Sequence, residues 1–209
     1  MSATARGRFI SLEGGEGVGK STQAKALAAA LRTRGLEVVE TREPGGSPGA
    51  EAIRALLLHD QEWTPEAEAL LFAAARADHV ARTIRPALEA GKWVICDRFV
   101  DSSIAYQGGA GGLGFDLVRA LHEAGSHGLL PDRTLLLRLP GEEADRRAGE
   151  RDTGGADLIG GRNRAFHRAV AAAFDRLAAE EPGRFRIIVA SGSTEAVTVR
   201  LLAALDDLR

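Results

Sequence analysis

Apolar and polar residues follow two different patterns along the chain. Short apolar runs typical of buried strands occur at 9–12, 36–41, 93–96, 134–139 and 185–190. Elsewhere apolar residues recur at helical spacing, which predicts helices over 21–34, 48–59, 65–90, 116–124, 141–151, 164–180 and 194–208. Strands that alternate with helices favour parallel pairing with right-handed crossovers. The pattern therefore predicts a three-layer α/β fold with a five-stranded parallel sheet and helices on both faces.

Proline and glycine refine these elements. Thr64-Pro65-Glu66 combines a helix cap with a proline and an acid in the first turn, and Gly35 stands where the first helix should stop. We expect a break or kink near Pro86, because proline cannot donate the helical hydrogen bond. Glycine-rich stretches at 108–114 and 152–161 predict two mobile segments.

Length and composition narrow the class of protein. The 209 residues fit one domain, 1–209, with a small mobile lid at about 146–163. Hydrophobic residues make up 44% and charged residues 27%, which is typical of a folded globular chain. A net charge of -2 gives no global positive field for a nucleic acid polymer or an anionic membrane, and no apolar run approaches the roughly 18 residues of a membrane span. The single Cys96 cannot form an internal disulfide, and we expect a cytoplasmic protein.

The strongest chemical motif lies between the first strand and the first helix. Gly14-Gly15-Glu16-Gly17-Val18-Gly19-Lys20-Ser21 fits G-x-x-x-x-G-K-[ST], the phosphate loop of P-loop NTPases. Backbone N–H groups in such a loop face phosphate oxygens, while the lysine adds charge and the hydroxyl can bind Mg²⁺. The spacing does not fit the dinucleotide motif G-x-G-x-x-G. The candidate ATP-binding residues are Gly14, Gly15, Glu16, Gly17, Val18, Gly19, Lys20, Ser21 and Thr22.

A second candidate lies where the strand at 93–96 ends. Asp97 can hold Mg²⁺ together with Ser21, and Arg98 can meet a second phosphate, because the carboxyl ends of parallel strands form the ligand edge of a sheet. Arg146, Arg147 and Arg151 precede the glycine-rich segment at 152–161, an arrangement typical of a closing lid. A solvated helix face would give the same pattern, and the residues alone leave both interpretations open.

Several longer segments are more specific than the phosphate loop. EGGEGVGKST (13–22), TREPGG (41–46), LFAAARADH (71–79) and VICDRFVDSSIAYQ (94–107) resemble bacterial thymidylate kinases along nearly the whole chain. The resemblance implies transfer of the γ-phosphoryl group of ATP to dTMP, for dTTP biosynthesis, by a homodimer that uses Mg²⁺.

The same resemblance implies roles for individual residues. The catalytic set would be Lys20, Asp97, Arg98, Arg147 and Arg151, with Ser21 and Asp97 at the metal. Phe72 would stack on thymine, and Arg76, Ser103 and Gln107 would bind the base. The phosphate of dTMP would lie against Arg54 and Arg98, its sugar against Glu16 and Tyr106, and Glu43 would lie near the acceptor and the metal. Leu158 stands where many relatives carry a lid arginine, so Arg147 and Arg151 are the expected lid charges.

Two other functions remain possible at this point. A phosphate-loop ATPase or switch would convert ATP hydrolysis into a conformational change, although the chain has no N-K-x-D segment of the kind that selects guanine. A kinase of the same class could act on another nucleoside or monophosphate. The dTMP phosphate is already a nucleophile at neutral pH, since the second pKa of a phosphomonoester is near ~6, so no histidine base is expected.

Overall fold

The computed structural model describes residues 6–58, 62–140, 143 and 163–208. Its strands are β1 (Phe9–Glu13), β2 (Val38–Arg42), β3 (Trp93–Asp97), β4 (Arg133–Arg138) and β5 (Phe185–Val189). In the described residues these strands form one parallel sheet of five, in the order β2-β3-β1-β4-β5. The predicted five-stranded parallel sheet is confirmed.

Helices cover both faces of this sheet. They are α1 (Lys20–Thr33), α2 (Pro48–Leu58), α3 (Pro65–His79), α4 (Arg85–Glu89), α5 (Val100–Ser103), α6 (Phe115–Ser126), α7 (Arg164–Glu180) and α8 (Thr194–Ala203). Two π-helical segments, Val80–Ile84 and Ile104–Ala110, and a 3₁₀ turn, Asp206–Leu208, complete the described elements. None of the described helices has the length and apolarity needed to cross a membrane.

The core has two halves because successive side chains of a strand point to opposite faces. Phe9 of β1 packs on one face with Phe99 and with Phe174 of α7. Its neighbour Ile10 packs on the other face with Leu27 of α1. Apolar side chains thus cover both faces of the sheet.

The predicted break near Pro86 is a change of helical pitch. The chain continues from α3 through the π segment at 80–84 into α4, where Pro86 occupies the first turn. Proline has no backbone N–H, and the N–H groups of a first helical turn make no bond inside that helix. Pro86 is therefore tolerated at this position. The helix over 65–89 therefore continues past Pro86 with a change of pitch and without interruption.

The prediction of a mobile segment at 108–114 was wrong for its first part. Gly108, Gly109 and Ala110 lie in the second π segment, and a Cβ on Gly109 would stand 2.7 Å from the Cβ of Ala173 in α7. These glycines allow two helices to approach closely, which is a packing role. The expected helix at 141–151 and the expected lid at 146–163 lie outside the described residues, apart from Glu143 and Asn163.

Candidate active site

The phosphate loop connects β1 to α1 at the carboxyl edge of the sheet. Gly14 has φ of +135°, and a Cβ there would collide with the carbonyl oxygen of Leu137 in β4. Gly19 caps α1 with φ of 91° and offers no side chain to the first turn. Because the first N–H groups of a helix have no partners inside it, this end of α1 can donate to an anion.

Lys20 is folded over the loop. Its Nζ donates to the carbonyl oxygens of Gly14 and Gly15 at 3.1 and 2.6 Å. Burial, reinforced by the charge of Arg98, lowers the pKa of Lys20 to about 7. A phosphate beside the ammonium group would oppose both effects and favour the charged form.

Ser21 and Asp97 meet across the gap between α1 and β3. The Ser21 hydroxyl donates to Oδ2 of Asp97, and Oδ1 of Asp97 is buried without a hydrogen-bond partner among the described residues. An orphaned carboxylate oxygen beside a hydroxyl is the donor set that Mg²⁺ accepts when waters and phosphates complete its shell. The residues therefore fit the implied ion.

Arg98 follows β3 in a left-handed conformation, with φ of 70°. Its Nη1 donates to the Gly14 carbonyl oxygen at 3.1 Å and to the Ser102 hydroxyl at 3.0 Å. Its Nη2 donates to Oε1 of Glu16 and, at 3.3 Å, to the Tyr106 hydroxyl. The guanidinium thus lies against the phosphate loop, at the boundary between the loop and the cavity described below.

Tyr106 and Glu16 complete this boundary. The Tyr106 hydroxyl donates to Oε1 of Glu16 at 3.1 Å, and its ring lies under the Arg98 guanidinium, 5.1 Å from centroid to Cζ. Burial raises the pKa of Tyr106 to about 12, so the hydroxyl is a neutral donor at physiological pH. Arg98, Glu16 and Tyr106 therefore orient one another.

Glu13, for which no role was predicted from the sequence, stabilises the turn that follows Arg98. Glu13 Oε1 accepts from the Phe99 backbone N–H at 2.8 Å, and Oε2 accepts from the Ser102 hydroxyl at 2.6 Å. Burial, together with the charge of Asp101, raises the pKa of Glu13 to about 8. A carboxyl group at the end of a buried strand, one residue before a phosphate loop, is the sequence signal that could have indicated it.

A buried charge cluster forms the opposite wall. Glu43 Oε2 accepts from Arg76 Nε at 2.8 Å and Glu43 Oε1 lies 3.0 Å from His79 Nδ1, while His79 Nε2 lies 2.7 Å from the Thr41 hydroxyl. Burial alone would raise the pKa of Glu43, but the Arg76 charge and the His79 hydrogen bond lower it. Arg76 Nη2 donates to the Ser103 hydroxyl at 2.7 Å. Among the described residues, Arg76 Nη1 has no partner, so one edge of the guanidinium remains for a ligand.

These two walls enclose one cavity of about 200 Å³, here called the acceptor cavity. It is lined by all nine of the predicted substrate-binding residues: Glu16, Glu43, Arg54, Phe72, Arg76, Arg98, Ser103, Tyr106 and Gln107. Ser21 and Asp97 also line it, so it reaches the phosphate loop. Five other lining residues were not predicted from the sequence: Arg42, Pro44, Leu58, Phe99 and Ser102.

The remaining predicted residues have different placements. Arg54 Nη1 donates to the Pro44 carbonyl oxygen at 2.8 Å. Val18 packs into the core, whereas Thr22 is exposed on α1. Arg147 and Arg151 lie outside the described residues, as does Leu158.

Comparison with known proteins relates this arrangement to one family. Residues 12–200 match a family model described as thymidylate kinase. The chain is similar to a thymidylate kinase of Rhizorhabdus wittichii, with 67% identity over 97% of this chain and 98% of that protein, and to one of Chromohalobacter salexigens, with 50% identity over 96% of each. The crystal structure of a thymidylate kinase from Ehrlichia chaffeensis matches with a TM-score of 0.79 and 31% identity, over 96% of this chain and 100% of that one.

Proposed function

The chain belongs to the thymidylate kinase family, and from that membership we propose that it transfers the γ-phosphoryl group of ATP to dTMP, giving dTDP and ADP. One observation carries the proposal. The nine side chains that the family resemblance assigns to dTMP line one cavity, and that cavity reaches the phosphate loop. A donor and an acceptor nucleotide can therefore meet at one point.

The donor end rests on Lys20, Ser21 and Asp97. ATP would lie with its phosphates against the N–H groups of the loop and the Lys20 ammonium. Ser21 and Asp97 would hold Mg²⁺, which when bound neutralises charge on the β- and γ-phosphates. The low pKa of Lys20 means that nucleotide binding above pH 7 would draw a proton onto this amine.

At the acceptor end, different side chains would bind the phosphate, the base and the sugar of dTMP. Arg54 and Arg98 would hold the dTMP phosphate, and Arg98 already touches the Gly14 carbonyl oxygen in the loop. Phe72 would stack on the base, with Arg76 Nη1 directed at its edge. Tyr106 would lie against the deoxyribose, where a ribose hydroxyl would meet the ring.

The chemistry needs positioning and charge more than acid–base catalysis. The attacking oxygen belongs to a phosphate that is already ionised at neutral pH, so no side chain has to remove a proton. Two anions must approach each other, and the charges of Lys20 and Arg98, which both donate to the Gly14 carbonyl oxygen at 3.1 Å, would reduce their repulsion. We propose that Arg147 or Arg151 adds charge as the γ-phosphoryl group transfers, when the lid closes.

We also propose a homodimer that works in the cytoplasm, where ATP and nucleoside monophosphates are found. Leu56 of α2, Leu70 of α3 and Leu117 of α6 are each exposed by 44% or more. These helices pack side by side, α2 on α3 and α3 on α6. Burying leucines between two copies would remove apolar area from water. Sedimentation of the purified protein tests the homodimer, and a single species at the monomer mass would contradict it.

The proposal is tested by coupled ADP release with ATP and Mg²⁺ across a panel of nucleosides and nucleoside monophosphates. We expect the highest turnover with dTMP, and a loss of turnover to background in Lys20→Ala with unchanged circular dichroism. Lys25→Ala is the matched control, because Lys25 lies exposed on the same helix. ADP release that needs no acceptor would instead indicate an ATPase, and equal rates with another monophosphate would contradict the choice of dTMP.

A further inference from the structure

Gln107 lies between two cavities. It lines the acceptor cavity and also a neighbouring cavity of about 340 Å³, whose wall includes Trp63, Glu68 and Phe166. Only 3% of Gln107 is exposed. Its side-chain amide is therefore fixed by what surrounds it rather than by water.

The partner of that amide is Glu68, on α3. Gln107 Nε2 donates to Oε1 of Glu68 at 2.8 Å, and Glu68 is itself only 8% exposed. A carboxylate can accept hydrogen bonds but has none to donate, so it must face the NH₂ end of the amide. The reversed amide would bring a carbonyl oxygen against the carboxylate in a site from which water is largely excluded, which is costly.

This contact determines which end of Gln107 faces a ligand. Glu68 belongs to the wall of the neighbouring cavity, so the NH₂ group points there. The carbonyl oxygen, Oε1, is then the end directed at the acceptor cavity. No described side chain donates to it.

The sequence places this carboxylate on the ligand-facing side of α3. Glu68, Phe72 and Arg76 are spaced by four residues and so lie on one helix face. Phe72 and Arg76 line the acceptor cavity directly. Glu68 begins the same row one turn earlier and reaches the cavity through Gln107.

We propose that Glu68 is a specificity-determining positioning residue: by holding the NH₂ end of the Gln107 amide it directs the carbonyl oxygen, an acceptor, at the pyrimidine N3. Thymine carries a hydrogen at N3 and can donate to Gln107 Oε1. Cytosine carries a lone pair at N3, which would face the carbonyl oxygen without a proton between them. The inference rests on the proposed function, since it assumes that a pyrimidine lies beside Gln107.

The test replaces Glu68 by glutamine and compares dTMP with dCMP. In Glu68→Gln the new amide can donate as well as accept, so the Gln107 amide is no longer held in one orientation. We expect the ratio of kcat/KM for dTMP to that for dCMP to fall by about tenfold or more, while KM for ATP is unchanged. Glu66→Gln, exposed on the same helix, should keep the wild-type ratio.

A ratio that stays within about twofold of wild type in Glu68→Gln would overturn the inference, even if both rates fall, because equal losses indicate a merely structural role. In a Gln107→Ala background Glu68→Gln should leave the ratio unaltered, and a further fall there would show that Glu68 does not act through Gln107. If Glu68→Gln does not fold, Glu68→Ala provides the same comparison. Equal use of dTMP and dCMP by the unaltered protein would contradict the proposed function itself.

Discussion

Arg76 has two roles that can be tested separately. Its ion pair with Glu43 stabilises the fold, and its Nη1 is proposed to bind the acceptor base. The side chains of Arg76 and Glu43 are 3% and 4% exposed, and Arg76 Nε lies 2.8 Å from Glu43 Oε2. Arg76→Met keeps most of the volume but leaves the buried Glu43 carboxylate with His79 as its remaining side-chain partner among the described residues. Removing one partner of a buried ion pair costs about 3–5 kcal/mol, and because His79 remains 3.0 Å away we expect about 3 kcal/mol.

The pKa of Glu43 determines how the stability lost in Arg76→Met changes with pH. In the wild type its pKa is lowered, so its contribution to stability is present above its ordinary value of 4.5 and is lost as the pH falls through the lower, folded value. Without Arg76, burial dominates and raises this pKa. The carboxylate then carries a penalty at neutral pH that is relieved as the pH falls towards 4.5. The difference in unfolding free energy between variant and wild type should therefore shrink from pH 8 to pH 5.

Urea unfolding followed by circular dichroism measures this difference at each pH. The double variant Arg76→Met/Glu43→Gln is the control for the charge: it should recover at least half of the lost stability at pH 8, while turnover with dTMP stays low because Arg76 Nη1 is gone. A loss below about 1 kcal/mol for Arg76→Met, or the same loss at every pH, would show that Arg76 does not stabilise the charged form of Glu43.

Three further predictions concern other parts of the site. Tyr106→Ala should relax the rejection of ribo-TMP, and an unchanged ratio of deoxy to ribo turnover would remove Tyr106 from its role. Arg147→Ala/Arg151→Ala should lower kcat at least ~100-fold and barely change the dissociation constant for dTMP, whereas near-normal kcat would favour a solvated helix face. The pKa of Glu13 is about 8 in the folded protein and 4.5 in the unfolded chain. The folded state therefore binds more protons between these values, and the free energy of unfolding of the wild type should decrease as the pH rises from 4.5 to 8. Glu13→Gln should flatten that decline in urea titrations at several pH values, and an unaltered slope would count against the raised pKa.

Elements with clear local signals could be predicted from the sequence. The helix at 164–180 has the bounds that were predicted, because Asn163 caps it through a bond from the Phe166 N–H to Oδ1, 3.0 Å long. Strands at 9–13 and 93–97 follow their apolar runs to within a residue. Each of these boundaries depends on residues that are close in sequence.

The helix over 100–110 could not be predicted in the same way. Its glycine-rich sequence predicts a loop, because glycine favours flexible segments in the absence of other contacts. Gly109 is needed because Ala173, 64 residues away, packs against it, and a local pattern does not contain that information. The same holds for the π-helical pitch of this segment.

The site was predictable as a set of residues and not as a network. The segments at 13–22, 41–46, 71–79 and 94–107, together with Arg54, indicated which side chains should meet, and all nine expected acceptor residues line the cavity. Their roles in catalysis remain predictions. The supporting contacts could not be read from the sequence, because Glu13 and Ser102 are separated by 89 residues and Glu68 and Gln107 by 39. The pKa shifts depend on burial, which follows only from the folded chain.

In the proposed reaction a phosphoryl group moves from ATP to the phosphate of dTMP. This transfer is tested most directly by following γ-labelled phosphate from ATP, with Mg²⁺ and dTMP present, and separating the products. Because Lys20 and Arg98 both contact the phosphate loop and Arg98 also lines the acceptor cavity, we expect the label to appear in dTDP, in amounts equal to the ADP formed. Label recovered as inorganic phosphate, with dTMP unchanged, would contradict it.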